Sequence, residues 1–116
     1  MLVVPGASGE IGVLARHAPL VAMLKAGSTR VYVRREGEVR EFATGAGFFK
    51  VEQDRAIALV DDAVDAKEID ADRAQAQLDE ARRELERVEA GESEADRWRL
   101  EQQIRHAENQ LSVLGR

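Results

Sequence analysis

The sequence predicts a mixed fold: an antiparallel β-sandwich or barrel over residues 1–65, then an antiparallel two-helix hairpin over residues 66–116. Three observations predict it. Up to Val64–Lys67 the chain consists of short apolar runs cut by Gly, Pro and charged turns; beyond it Pro is absent and Gly occurs only at Gly91 and Gly115. The spacing of apolar residues changes there from short strand-like runs to one every three or four. Charge divides at the same place. Residues 1–65 carry 8 Lys/Arg against 9 Asp/Glu, a net of −1, and residues 66–116 carry 9 against 13, a net of −4.

Taken in order, Met1–Val4 reads as the end of a strand. Gly9–Leu20, GEIGVLARHAPL, reads as a loop that holds an apolar run, a lone His and a Pro. The stretch TRVYVRREGEVREFAT is two β-rich runs about Glu36-Gly37, a hairpin whose Gly supplies the positive φ of the turn. Val31 and Val33 share one face of the first run; Val39 and Glu41 share one face of the second, with Phe42 opposite. GFFKV and Ala56–Val60 are two more strands, with Gly45 and Gly47 marking a bend or bulge. Asp61–Asp72 is acidic, but it lacks the Gly and the spacing of an EF-hand loop and reads as a solvated linker. Asp70 is the expected N-cap of the first helix, whose stripe runs through Ala71, Ala74, Leu78, Ala81, Leu85 and Val88. Gly91 ends it as a C′ residue. Ser93 with Asp96 resembles a capping box for the second helix, whose stripe is Leu100, Ile104, Ala107, Leu111 and Leu114. The first stripe contains three Ala, which allow close approach but bury little area each, so the hairpin seam is marginal.

Composition narrows the function. Of 116 residues 34% are charged and 4% aromatic, with a net charge of −5. Phosphate backbones need clustered Lys and Arg, so nucleic acid is not an expected partner. There is no Cys, which removes thiolate catalysis and thiolate metal sites. Apolar runs fall well short of the ~20 residues of a membrane span, and no basic-then-apolar leader opens the chain, so membrane contact is expected only through another protein. No catalytic residues are expected: Ser8, His17 and Asp61 carry no nucleophile-elbow context. No metal site is expected, since His17 has no His or Cys nearby in sequence. GASGEIG and GAG lack the strand–turn–helix setting of a dinucleotide fingerprint. Trp98 lies off its helix stripe and is expected to be partly buried; His106 is expected to face solvent or a partner.

SGEIGVLARHAPLV, then GAGFFKV, then IDADRA, in that order around a sandwich and a helical hairpin, resemble the epsilon subunit of bacterial F-type ATP synthases over essentially the whole chain. The glycine pair usual before the Phe strand is here Ala46-Gly47, and members of the family usually begin about two strands earlier, so by this resemblance the sandwich is expected to lack its first strands. The resemblance implies a non-catalytic central-stalk subunit. Its sandwich would bind the gamma subunit and the c-ring, and would turn with them as rotor. Glu10, Ile11, Val13, Leu14 and His17 match the part that faces the c-ring. The hairpin would hinge at Val64–Glu68. It would either fold on the sandwich or extend to the alpha/beta catalytic head and inhibit ATP hydrolysis, with Arg97, Arg99 and Arg105 as head contacts. Ile69, Asp70, Arg73 and Ala74 match the ATP-binding motif of some members. ATP would then be a regulatory ligand and no cofactor would be required; helix capping is the competing role for Asp70. ATP-binding members also present arginines from the second helix, where this chain has His106 and Gln110. The implied location is peripheral, on the cytoplasmic side of the bacterial cell membrane. A second reading is a free-standing adaptor that probes a larger machine such as RNA polymerase with an acidic hairpin. Such factors place the hairpin first and focus acids at its tip; here it comes last and the tip, Ala90–Glu94, has two acids.

Overall fold

The computed structural model describes residues 1–13, 19–33, 37–52 and 55–115. The chain divides into two compact units, Met1–Glu68 and Ile69–Arg116. Ala66–Glu68, expected to open the hairpin, therefore belong to the first unit.

The first unit is a curled antiparallel sandwich of eight strands: β1 (Leu2–Gly6), β2 (Gly9–Val13), β3 (Leu20–Leu24), β4 (Gly27–Val33), β5 (Glu38–Thr44), β6 (Gly47–Glu52), β7 (Arg55–Val60) and β8 (Ala63–Asp65). Their order is β7-β6-β3-β1-β4-β5-β8, with β2 on β1. The curl has a local cause. Gly6 pairs with Leu24, and Val3 pairs with Arg30. Between those pairs β1 advances by fewer residues than the β3–β4 segment does, and the surplus forms a bulge that bends it from one layer into the other. Gly27 sits at this bend because a Cβ there would lie 2.8 Å from Pro5 Cβ.

Alternation within the strands decides what enters the core. Val4, Val13, Leu24, Phe49 and Val51 are buried together, with Leu2, Ile11, Leu20 and Val60 packed on them. Phe49 and Val4 are fully buried. In the β4–β5 hairpin Val31 faces Arg40 and Tyr32 faces Val39. There the buried hydroxyls of Thr29 and Thr44 share a hydrogen bond of 2.9 Å, so neither is left unpaired.

Three expectations are corrected. Gly9–Val13 is a strand, in register with β1 from Gly6↔Gly9 to Leu2↔Val13, rather than part of one long loop. Its two-residue connection, Ala7-Ser8, is closed by Gly9 at φ +136. Leu20–Leu24 is likewise a strand. The acidic linker contains paired structure: Val64 faces Ala43 and Asp65 faces Phe42. The 3-10 turn Ala66–Glu68 follows, so the segment proposed as a hinge is anchored. Lys67 N–H donates to Asp65 Oδ1 at 2.9 Å, and Arg40 Nη2 donates to Oδ2 at 3.4 Å. The Lys67 amide first, with Arg40 assisting, lowers the Asp65 pKa from its ordinary value near 3.8. A lowered carboxylate pKa stabilises the fold above the unfolded-state value, and that gain is lost as pH falls through the folded one. Asp65→Asn is expected to flatten the acid limb of the stability curve below about pH 4, read by thermal unfolding at stepped pH.

The second unit is α1 (Ala71–Glu89) and α2 (Arg97–Val113), packed antiparallel. Asp70 caps α1, accepting from Arg73 N–H at 3.2 Å. The C-terminal end is a Schellman motif: Gly91 at φ +76, with Gly91 N–H to Val88 O and Glu92 N–H to Arg87 O. Ala74, Leu78, Ala81, Leu100 and Ala107 are buried. The cap of α2 is Asp96, which accepts from Trp98 and Arg99 N–H, rather than Ser93. Ser93 Oγ instead donates to Glu84 Oε1 across the turn at 2.7 Å. Asp96→Ala is expected to remove both bonds and cost the hairpin about 1 kcal/mol, checked by the shift in its helical melting curve. Trp98, expected to be covered, is 64% exposed.

Candidate functional site

Two surfaces of the first unit can meet a partner. The first surrounds β2. Glu10 points outward, 61% exposed, and its Oε2 receives Arg30 Nη2 at 2.5 Å. Ile11 and Val13, expected beside it as contact residues, alternate with it and turn inward; Val13 is 5% exposed and part of the core. Period two on a half-buried strand forces this, and it removes Val13 from any docking surface and leaves Ile11 half-buried. Leu14 and His17 lie outside the described residues.

The second surface was not legible as a site in the sequence. On β3, β6 and β7 the register puts Met23, Phe48 and Leu59 in one row and Val21, Lys50 and Ile57 in the next. All share the outer face, opposite Phe49 and Val51. The apolar members are well exposed, from 40% at Ile57 to 69% at Val21. Lys50 pairs with Glu52 at 3.0 Å, on that same face. An apolar face of this breadth on a folded unit marks an interaction site rather than scattered surface residues. The available signal was the Phe48-Phe49 pair: adjacent apolar residues in a strand face opposite sides and call for cover on both.

In the second unit the motif Ile69, Asp70, Arg73, Ala74 lies at the entry to α1. Ala74 is 1% exposed. Ile69 is half-buried, Arg73 is exposed, and the Asp70 carboxylate caps α1. Arg97, expected to reach outward, is held within the hairpin by Glu89 at 2.7 Å and by Glu101 at 3.7 Å. Arg105 Nε donates to Glu101 O at 3.4 Å, and Arg99 is exposed. Among the described residues no three His, Asp or Glu side chains gather to hold a metal ion, and no helix is long and apolar enough to cross a membrane.

A sandwich with one broad apolar outer face, followed by a charged helical hairpin, defines a protein built to dock. Residues 1–66 match the family model for the ATP synthase delta/epsilon chain β-sandwich domain. The whole chain is similar to the ATP synthase epsilon chain of Desulforamulus reducens, 38% identical over 112 residues, covering 97% of this chain and 81% of that one. It is 41% identical to the epsilon chain of Carboxydothermus hydrogenoformans over 86 residues, 74% of this chain and 63% of that one. Among solved structures it is similar to a chain of the Euglena gracilis mitochondrial ATP synthase OSCP/F1/c-ring structure, with a TM-score of 0.72 and 26% identity, covering 97% of this chain and 68% of that one. The chain belongs to the ATP synthase epsilon-chain family. That membership sets aside the RNA polymerase adaptor reading.

Proposed function

We propose that this chain is a non-catalytic central-stalk subunit of a proton-translocating ATP synthase. Its first unit couples the c-ring to the gamma subunit, and its hairpin restrains ATP hydrolysis when it reaches the alpha/beta head. In this reading it sits on the cytoplasmic side of the bacterial membrane and touches the membrane only through the c-ring.

The exposed apolar face of β3, β6 and β7 carries the reading. Burying Val21, Met23, Phe48, Ile57 and Leu59 against gamma would supply the hydrophobic centre of a stable interface, while Lys50 and Glu52 would lie in its polar surround. Glu10, on β2, is left for the ring. The small-residue seam Ala74, Ala81 and Ala107 supports the regulatory half: it buries little apolar area, so a second packing of the helices competes with the first.

The test is capture of gamma by the full chain. Phe48→Asp puts a charge at the centre of the apolar face without touching the core. Binding to gamma is expected to weaken roughly 30- to 100-fold, the scale of an interface hot spot, with the melting temperature nearly unchanged. Unchanged affinity would remove this face as the gamma surface.

A further inference from the structure

Glu10 and Arg30 stand on strands that are not neighbours. Glu10 is on β2, Arg30 is on β4, and β1 runs between them. The register aligns Arg30 with Val3, and Val3 with Gly12; Glu10 aligns with Pro5. Those residues share the face opposite the Val4–Phe49 cluster, a face on which Val3 and Pro5 are themselves buried. Gly12 has no side chain, so the path from Arg30 over Val3 to the Glu10 carboxylate is open. The guanidinium reaches Oε2 through Nη2 at 2.5 Å, with side-chain exposures of 32% for Arg30 and 61% for Glu10. Arg30 Nε is buried and has no hydrogen-bond partner.

Stability does not account for this arrangement. Exposed ion pairs contribute about 0–1 kcal/mol, and a buried N–H without a partner works against even that. The geometry accomplishes something else. It clamps an exposed carboxylate close to the Ala7-Ser8 turn through one of its oxygens, Oε2, which leaves the other oxygen as an acceptor. A free Glu side chain would lose rotamer entropy on binding a donor; a clamped one has already lost it.

We infer that Arg30 is a positioning residue: it holds the Glu10 carboxylate in one orientation, so that its second oxygen accepts a hydrogen bond from an N–H donor on the c-ring. The inference rests on the reading of Glu10 as a ring contact. It requires the two strands to keep their register across β1, and it requires a guanidinium long enough to span that strand. A lysine at position 30 would supply the charge with a single, more mobile donor head.

The experiment measures binding of the gamma-bound full chain to purified c-rings, with thermal unfolding of each variant alongside. Glu10→Gln is expected to weaken binding about 10-fold, the scale of a lost charge-assisted hydrogen bond. Arg30→Met is expected to weaken it by a similar factor, and Arg30→Lys to recover part of the loss. The double variant Glu10→Gln/Arg30→Met should bind no worse than Glu10→Gln alone, because Arg30 acts only through that carboxylate. If Glu10→Gln weakens binding and Arg30→Met does not, the positioning role is overturned and the ring contact stands. A loss from Arg30→Met that persists in full in the Glu10→Gln background also overturns it. If Glu10→Gln binds like the parent chain, the ring reading of Glu10 falls, and the inference falls with it. Similar melting temperatures for Arg30→Lys and the parent separate these outcomes from misfolding.

Discussion

Phe49→Ala is expected to cost the sandwich unit about 4 kcal/mol, within the usual span for removing a buried aromatic. Phe49 is fully buried and packs with Val4, Val13 and Leu24 from three other strands and with Val51 of its own strand. Its ring therefore packs against several strands at once, and no single neighbour can move to fill the space. A domain of this size has roughly 5–15 kcal/mol in all, and each kcal/mol shifts the melting temperature by about 4–8 °C. A fall of roughly 15–30 °C in the unfolding of the β signal is the expected reading. The adjacent Phe48 provides the control. It is 43% exposed on the outer face, so Phe48→Ala should change stability by less than about 1 kcal/mol while still weakening docking. Equal losses from the two substitutions would contradict the assignment of inner and outer faces.

How much of this was legible depended on how local the cause is. The hairpin could be read almost entirely from its own residues, because a stripe at three- and four-residue spacing, an Asp at the entry and a Gly at the exit all lie within the helix they define. What it did not give were the second cap and the exposure of Trp98. Ser93 and Asp96 are both good capping residues, and Ser93 is drawn away by Glu84 on the other helix, a contact that sequence spacing does not reveal. Gly9–Leu20 carries the signals of a loop, with two Gly, a His and a Pro. The alternation of Ile11 and Val13 about Gly12 is too short to outweigh those signals. The strand exists because β1 supplies a full register of partners for it. The same dependence on pairing hid the functional surfaces. That Met23, Phe48 and Leu59 form one row, and that Arg30 reaches Glu10, follows from which strands are neighbours, and residues far apart in the chain do not announce that.

Gly47→Ala is the second large effect expected, and its cause is close approach rather than backbone conformation. Gly47 opens β6 and is paired on both sides, with Leu24 and with Val60. A Cβ at this position would lie 1.9 Å from Leu59 O and 2.8 Å from both Leu59 C and Val60 Cα. All three are backbone atoms, so no rotamer change can relieve the overlap; β7 must separate from β6. A loss of about 3 kcal/mol is expected, at the upper end of the range for overpacked sites, measured by chemical denaturation. Gly37 gives the contrast. It has φ +62 and nothing within 4 Å of an added Cβ, so Gly37→Ala should cost only the roughly 1–2 kcal/mol of a left-handed residue. The Gly47 substitution carries a further consequence. Displacing β7 moves Ile57 and Leu59 out of line with Phe48 and Met23, so affinity for gamma should fall even at temperatures where the variant stays folded. A variant that loses stability yet binds gamma at full strength would show that the β7 rows are not part of the interface.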